Sequence, residues 1–237
     1  MWRMAFDIGG TFTDFVLAGV GEPPRFLKIA STPHDPSVAV ITGFDQLLTD
    51  AGISASSITT LLHATTVATN AIIERKGRPT ALVTTAGFRD VLLIGRQKRY
   101  ETYDLYMDKP APLVARRNVF EVIERVGPNG EVDKELEPTS LDAIIETLAE
   151  STIQSVAVSL IHAYANPTHE NIIKKILQAR LPNLLVSLSS DISPKFREYE
   201  RTSTTVANAY VRPIVADYIS QLQSTLGARG VENEMFI

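Results

Sequence analysis

Ala5-Phe6-Asp7-Ile8-Gly9-Gly10-Thr11-Phe12-Thr13-Asp14-Phe15-Val16-Leu17 joins two apolar, strand-like stretches through Gly-Gly-Thr, with an Asp just before the glycines. Gly9 and Gly10 lack a Cβ, so they can take positive φ and let the backbone approach a ligand closely. Successive N–H groups in such a turn form a concave anion site, and Thr11 and Thr13 add two hydroxyls. Asp7 lies on an otherwise apolar strand, where a carboxylate is costly unless it is paired or bound to a metal. A divalent metal such as Mg²⁺ keeps several waters and needs only one or two carboxylates. The competing reading is an ordinary hairpin, since Gly-Gly is a common two-residue turn. On the local pattern the two stand level, but the hairpin leaves Asp7 and the threonines unexplained.

Composition narrows the class. The chain has 237 residues, 44% hydrophobic and 21% charged, which suits a soluble globular protein with a sizeable core, in one large domain or two small ones. It has no cysteine, which rules out disulfides, zinc-thiolate sites and thiol nucleophiles. A net charge of −4 without a basic block argues against nucleic acid or an anionic membrane as partner. The start of the chain reads as having no signal-peptide core, and no stretch approaches the roughly 20 apolar residues of a membrane span.

Strands and helices alternate. A strand is expected over Arg25–Ala30. Asp35 then caps a helix with Pro36 at its first position, Val38, Ile41, Phe44, Leu47 and Leu48 on its apolar stripe, and Gly52 just past its end. Thr60–His63 reads as a short strand leading to a helix from Val67 to about Lys76. Thr80–Thr84 is β-rich, and 95–118 is charged, aromatic and irregular. Strands are expected over Val119–Val126, Ser155–Ile161 and Leu184–Leu188. Helices follow Thr139 and Asn166-Pro167. A long helical region runs from Phe196 to Leu226, with Pro213 as a kink or break. This order predicts an α/β fold with a partly parallel sheet. The organisation reads as a phosphate-loop subdomain (1–95), a second α/β subdomain (96–195), and a long helix with the start of a further lobe (196–237).

Two further segments carry polar chemistry. His63-Ala64-Thr65-Thr66-Val67-Ala68-Thr69-Asn70 runs from a strand end into a helix start, where α/β sheets place ligands. Thr65 and Thr66 can cap that helix and also donate to phosphate; His63 by itself reads as a satisfied polar residue. Arg197-Glu198-Tyr199-Glu200-Arg201 reads as a solvated helix face laced with ion pairs. The hydroxyls of Thr202-Ser203-Thr204-Thr205, poor helix formers, imply either tight packing or a hydroxyl-lined surface.

Taken together, the motifs resemble the hydantoinase/oxoprolinase family. The resemblance rests on Phe6–Asp14, His63–Asn70, Gly87-Phe88-Arg89-Asp90 and Ile94-Gly95-Arg96-Gln97, then on Val156–Leu160 with Asn166–Glu170 and on Arg197–Tyr210, in the right order along the chain. It implies the first lobe of an actin/hexokinase/Hsp70-like ATPase fold, a mixed sheet flanked by helices, with a second α/β subdomain. It implies ATP with Mg²⁺ or Mn²⁺, phosphoryl transfer to the carbonyl oxygen of a cyclic amide or imide, and ring opening by water. It further implies a second large subunit of hydantoinase B type, an oligomer, and a cytoplasmic location. Two alternatives remain: the nucleotide-binding subunit of a ketone carboxylase, and a regulatory nucleotide-binding module of the same fold.

Roles then follow by position. Asp7 is expected to organise metal and phosphate. Gly9, Gly10, Thr11 and Thr13 would grip the β- and γ-phosphates, with Asp14 beside them or capping the turn. Thr65, Thr66 and Asn70 would face the transferred phosphoryl group or the substrate. Arg96, Asp191 and Arg201 are weaker candidates for the substrate side. Family members are much longer, so the chain is expected to be an N-terminal part that is inactive by itself. Glu234-Met235-Phe236-Ile237 would then begin the strand leading into a second lobe.

Overall fold

The computed structural model describes residues 1–32, 35–98, 101–231, 233 and 235–237. The elements in chain order are β1 (Trp2–Ile8), β2 (Phe12–Gly19), β3 (Arg25–Ala30), α1 (Pro36–Ala51), β4 (Ile58–Thr65), α2 (Val67–Ile73), β5 (Thr80–Thr85), α3 (Val91–Ile94), β6 (Val119–Val122), β7 (Arg125–Val126), β8 (Val132–Lys134), α4 (Thr139–Ala149), β9 (Ser155–Ser159), α5 (Thr168–Arg180), β10 (Leu185–Leu188), α6 (Ser189–Ile192), α7 (Glu198–Gly227) and β11 (Met235–Phe236). Among the described residues no helix is long and apolar enough to cross a membrane. The chain forms two compact units, one of Met1–Glu74 with Ile214–Ile237 and one of Arg75–Pro213.

The first unit is built on a sheet of order β11-β4-β1-β2-β3 among the described residues. The opening hairpin is antiparallel, pairing Asp7 with Asp14 and Ile8 with Thr13, while β4 and β11 add in parallel. Met4, Phe6, Ile8, Phe15, Leu17 and Leu61 point to one face. There they meet Phe44 and Leu47 of α1 and Tyr218, Leu222 and Leu226 of α7. The start of α1 is as read: Asp35 accepts from the Ser37 N–H at 3.0 Å, and Gly52 ends the helix in the left-handed region. Met235-Phe236, expected to lead into a second lobe, pairs with β4 as an edge of this first sheet; Glu234 lies outside the described residues.

The second unit has a parallel sheet of order β10-β9-β5-β6. All residues of β5 and β9 are buried, as parallel strands covered on both faces require. Leu141, Ile145 and Leu148 of α4 and Ile173 and Leu177 of α5 cover one face. Val206 and Ala209 of α7 pack among Leu82 and Ala157 on the other. Thr80–Thr85, grouped with the first 95 residues when read from sequence, pairs with β6 and β9 and so belongs to this second sheet. The expected strand Val119–Val126 is two strands, because Glu124 turns inward to accept from Thr85 and from His169 Nδ1 (2.8 Å). Helix α7 continues through Pro213. Both of its halves are packed against apolar cores, which outweighs the roughly 3 kcal/mol that an interior proline costs.

Candidate functional site

The turn between β1 and β2 is held from inside. Gly9 N–H donates to Phe12 O at 3.0 Å, and Ser31 N–H donates to Thr11 O at 2.9 Å. Ser31 Oγ donates to Gly9 O at 2.8 Å and lies 3.0 Å from Thr13 Oγ1. A serine hydroxyl has one proton, so Thr13 is the donor to Ser31. Thr13 is fully buried. This corrects its expected place in the phosphate grip: its hydroxyl braces the loop from beneath and is spent doing so. Ser31, which carries the same brace, has no pattern in the sequence that marks it.

The outer side of the turn is free. Among the described residues the Gly10 and Thr11 N–H groups have no hydrogen-bond partner, and Thr11 is exposed. A Cβ on Gly10 would meet nothing within 4 Å, whereas one on Gly9 would come to 3.0 Å from Phe12 O. Neither glycine takes positive φ, contrary to expectation. Their value is the absence of a side chain, at Gly9 for the tight turn and at Gly10 for an open approach.

Asp7 is exposed and has no ion-pair or hydrogen-bond partner among the described residues. Its cross-strand neighbour Asp14 is neutralised by Lys28 at 2.9 Å. Lys28 also lies over the Phe12 ring, 5.2 Å from its centroid. Asp14 is thereby committed to the sheet surface, and Asp7 keeps the unspent carboxylate.

Parallel pairing sets Asp7 beside Ala64 and Ile8 beside Thr65, so the β4–α2 turn leaves the sheet at the same edge as the glycine turn. Thr66 clamps the two: its N–H and its hydroxyl both donate to Ile8 O, at 3.3 and 3.2 Å. Asn70 Nδ2 donates to Thr66 Oγ1 at 3.2 Å. The cap on α2 comes from Thr65, whose Oγ1 accepts from Val67 N–H at 3.2 Å, and not from the hydroxyl of Thr66. Asp7, Gly9, Gly10, Thr11, Asp14, Thr65, Thr66 and Asn70 thus gather at one end of the first sheet. His63, just before them, is buried. Its Nε2 meets Tyr218 Oη at 2.8 Å and its ring stacks on Phe6 at 4.5 Å. Burial pushes its imidazole below the usual value and the Tyr218 hydroxyl upward.

The weaker candidates lie in the second unit and do not gather. Arg96 pairs with Glu200 at 2.6 Å and Asp191 with Lys174 at 3.3 Å. Arg201 is buried, donating to Leu160 O at 2.7 Å and Lys195 O at 3.1 Å, so it fastens the end of β9 and is not on a solvated helix face. Thr202 is also buried, 2.8 Å from Ser159 Oγ, which decides for tight packing of the hydroxyl run there. Glu170, read from sequence only as the end of the Asn166–Glu170 motif and given no role, accepts from Leu160 N–H and from the hydroxyls and an N–H of Ser189 and Ser190. Burial pushes its carboxyl up against those donors.

A glycine turn flanked by an unspent carboxylate, at the end of a mixed sheet with its opening hairpin beside parallel strands, fits an α/β fold of the actin-like ATPase type. The chain belongs to the hydantoinase/oxoprolinase family: residues 3–181 match the hydantoinase/oxoprolinase N-terminal region. Over its full length it is 38% identical to an uncharacterized protein of Methanocaldococcus jannaschii, covering 35% of that protein. It is 33% identical to caprolactamase subunit alpha of Pseudomonas jessenii over 98% of the chain and 34% of the relative. The crystal structure of ATP-dependent caprolactamase from Pseudomonas jessenii superposes with a TM-score of 0.91 at 32% identity, over 98% of this chain and 35% of that one. Nucleotide-free acetone carboxylase shares the fold, with a TM-score of 0.85 at 23% identity over 99% of this chain and 36% of that one. The chain spans about a third of the length of these relatives.

Proposed function

We propose that this chain is the phosphate-gripping part of an ATP-dependent amidohydrolase subunit that phosphorylates the carbonyl oxygen of a cyclic amide or imide to drive ring opening. The observation that carries the reading is the exposed, unpartnered Asp7 beside the free N–H groups of Gly10 and Thr11, at the same sheet end as the Thr66–Asn70 clamp. The donor set fits the ligand: amide N–H groups suit phosphate oxygens, and one free carboxylate suits a hydrated Mg²⁺ or Mn²⁺. ATP with its metal supplies the phosphoryl group and neutralises its charge.

The residues position. Gly10 and Thr11 hold the terminal phosphates by their N–H groups, and Thr13 with Ser31 keeps that turn rigid. Asp7 orients the metal's waters, and Thr65, Thr66 and Asn70 border the place of transfer. Such transfer is catalysed mainly by positioning and charge neutralisation. Its use on an amide is chemical: phosphate on the carbonyl oxygen makes the lactam carbon electrophilic enough for water to add, the adduct expels the protonated ring nitrogen to leave an open-chain acyl phosphate, and a second water releases phosphate and the carboxylate. Caprolactam and 5-oxoproline, in the names of relatives and family, are both cyclic amides. The caprolactamase relative is named as a subunit, and a second large subunit is proposed here too.

The test is substrate-stimulated phosphate release by the full-length protein with its partner subunit, screened with caprolactam, hydantoins, 5-oxoproline and ketones. A cyclic amide should stimulate release, and Asp7→Ala should abolish it. Stimulation by ketones alone would move the protein to the carboxylase branch, and full activity of Asp7→Ala would remove the central assignment.

A further inference from the structure

Between β6 and α4 the chain leaves the second sheet as a two-stranded ribbon, β7–β8, and returns. Glu137 N–H donates to Ile123 O at 2.9 Å and closes the base of this excursion. Residues 128–135 are exposed apart from the half-buried Gly130, and the large apolar side chain that the ribbon buries is Val126. The ribbon is held down mainly by polar groups of one stretch, 162–169. His162 Nδ1 donates to Val126 O at 2.7 Å and Asn166 Nδ2 to Gly130 O at 2.8 Å, while His169 Nε2 lies 3.4 Å from Glu135 Oε2. Arg125 adds a stacking contact, its guanidinium 5.2 Å from the centroid of the Phe88 ring. These attachments lay the ribbon across the carboxyl ends of β5 and β9. Glu124, at its foot, bonds Thr85, the last residue of β5, and His162 follows β9 by three residues. From β5 the chain goes to β6 on one side and from β9 to β10 on the other, and α/β sheets place ligands at the carboxyl ends of strands that part in this way.

We propose that the β7–β8 ribbon is a flap over this sheet edge, latched by one proton on His169. The ring stands between two carboxylates. Buried Glu124, from the foot of the ribbon, faces Nδ1 at 2.8 Å, and exposed Glu135, from the strand end after β8, faces Nε2. A carboxylate accepts and cannot donate, so the ring bonds both only when both of its nitrogens carry protons. A neutral ring keeps its one proton on Nδ1, because leaving the buried Glu124 charge without its donor is the costlier choice. Nε2 then turns a lone pair toward Glu135, and that carboxylate is free to go to water. The protonated ring closes the flap and the neutral ring releases it. The other charged groups nearby are spent elsewhere. Lys134 pairs with Glu137 at 3.0 Å, Glu131 accepts from Asn129 N–H at 3.0 Å, and Glu170, on the same helix as His169, is turned to Leu160, Ser189 and Ser190. Release exposes little apolar surface beyond Val126, so the ribbon can open while the sheet stays folded. The inference concerns the second unit alone and does not depend on what the glycine turn binds.

The chain has no cysteine, so labelling of a single introduced thiol reads the latch. Val126→Cys puts the thiol under the ribbon, Asn129→Cys at its exposed tip, and Ala157→Cys in the buried strand β9. Dividing the rate at 126 by the rate at 129 cancels the thiolate fraction and leaves the open population. Between about pH 5.5 and about pH 8, either side of the ordinary histidine value, this ratio should rise about tenfold, the order of one hydrogen bond to a charged group. In Glu135→Gln it should not respond to pH, because an amide accepts from the protonated ring and donates to the neutral one. In His169→Asn, whose amide can still donate to Glu124, it should be high at both pH values. The thiol at 157 should label far more slowly throughout. Equal rates at 126 and 157 overturn the flap, since the ribbon then opens only when the unit unfolds. A pH response that survives in Glu135→Gln overturns the latch. The unsubstituted chain gives a second reading that no variant can spoil. It has four histidines, few enough for imidazole nitrogen-15 spectra to resolve each ring. His169 should carry protons on both nitrogens at the acid end and on Nδ1 alone at the alkaline end. A neutral ring protonated on Nε2 overturns the proposal.

Discussion

Thr13 and Asp7 sit on the same hairpin with opposite fates, decided by strand alternation. Odd positions of β2 face the core and odd positions of β1 face away from it, so Thr13 is interior and Asp7 is not. The buried hydroxyl should therefore be read out as stability. Thr13→Val keeps shape but removes the donor to Ser31, and should cost about 1 kcal/mol in urea unfolding, the usual net worth of such a bond; a variant as stable as the parent would show that the brace is idle. His63 gives a pH signature. Its folded pKa is depressed from 6.5 by burial, so the folded state binds fewer protons than the unfolded chain below that pH. Stability should be full above about pH 6.5 and fall as pH drops below it, by at most about 1.4 kcal/mol per pH unit. The double variant His63→Leu/Tyr218→Phe, which removes both partners together, should lose this portion of the slope in thermal melts from pH 7.5 to 5. An unaltered slope would assign the pH dependence to other groups.

At the scale of elements, close approach governs. Gly43 lies on the buried side of α1, where a Cβ would come to 2.4 Å from the Phe15 ring. Ala is the better helix former by about 1 kcal/mol, yet overpacking a filled core costs about 1–3 kcal/mol. Gly43→Ala should thus lower the melting temperature, and a rise would mean that Phe15 has room to move. Helix starts were legible where the signal is local. The Asp35-Pro36 start and the Gly52 stop are set by partners two to four residues away, a side chain at the start and backbone carbonyls at the stop, and the structure has them as read. The cap of α2 was legible only in part: Thr65 caps it as read, while the Thr66 hydroxyl is claimed by Ile8 O, a partner 58 residues distant. The same holds for Arg201, whose charged neighbours suggested a solvated face. Its burial is set by Leu160 O at the end of β9.

At the scale of the whole molecule, the residues 75–213 form a unit with its own sheet and its own apolar cores. Its ends meet: Arg78 N–H donates to Tyr210 O at 3.1 Å. A compact unit with adjacent ends has the anatomy of an inserted domain. Residues 75–213 expressed alone should give a single cooperative thermal transition with mixed α/β circular dichroism. A gradual, non-cooperative melt would show that the unit depends on the rest of the chain.

The amino-acid sequence by itself determined the alternation of strands and helices, the hairpin with its glycine turn, and the proximity of Asp7 to Gly10, because these rest on periodicity and on partners close in the chain. The family, too, was readable from motifs in order. Tertiary structure alone decided which polar groups were left to act. Thr13 was taken by Ser31, Asp14 by Lys28, and Arg201 by Leu160, each through a partner 14 to 41 residues away. A side chain's availability depends on what the fold has already bonded to it, and no local pattern records that. The Gly-Gly turn was therefore visible from the first reading, while the assignment of Asp7 as its free carboxylate waited for the sheet that spends the others.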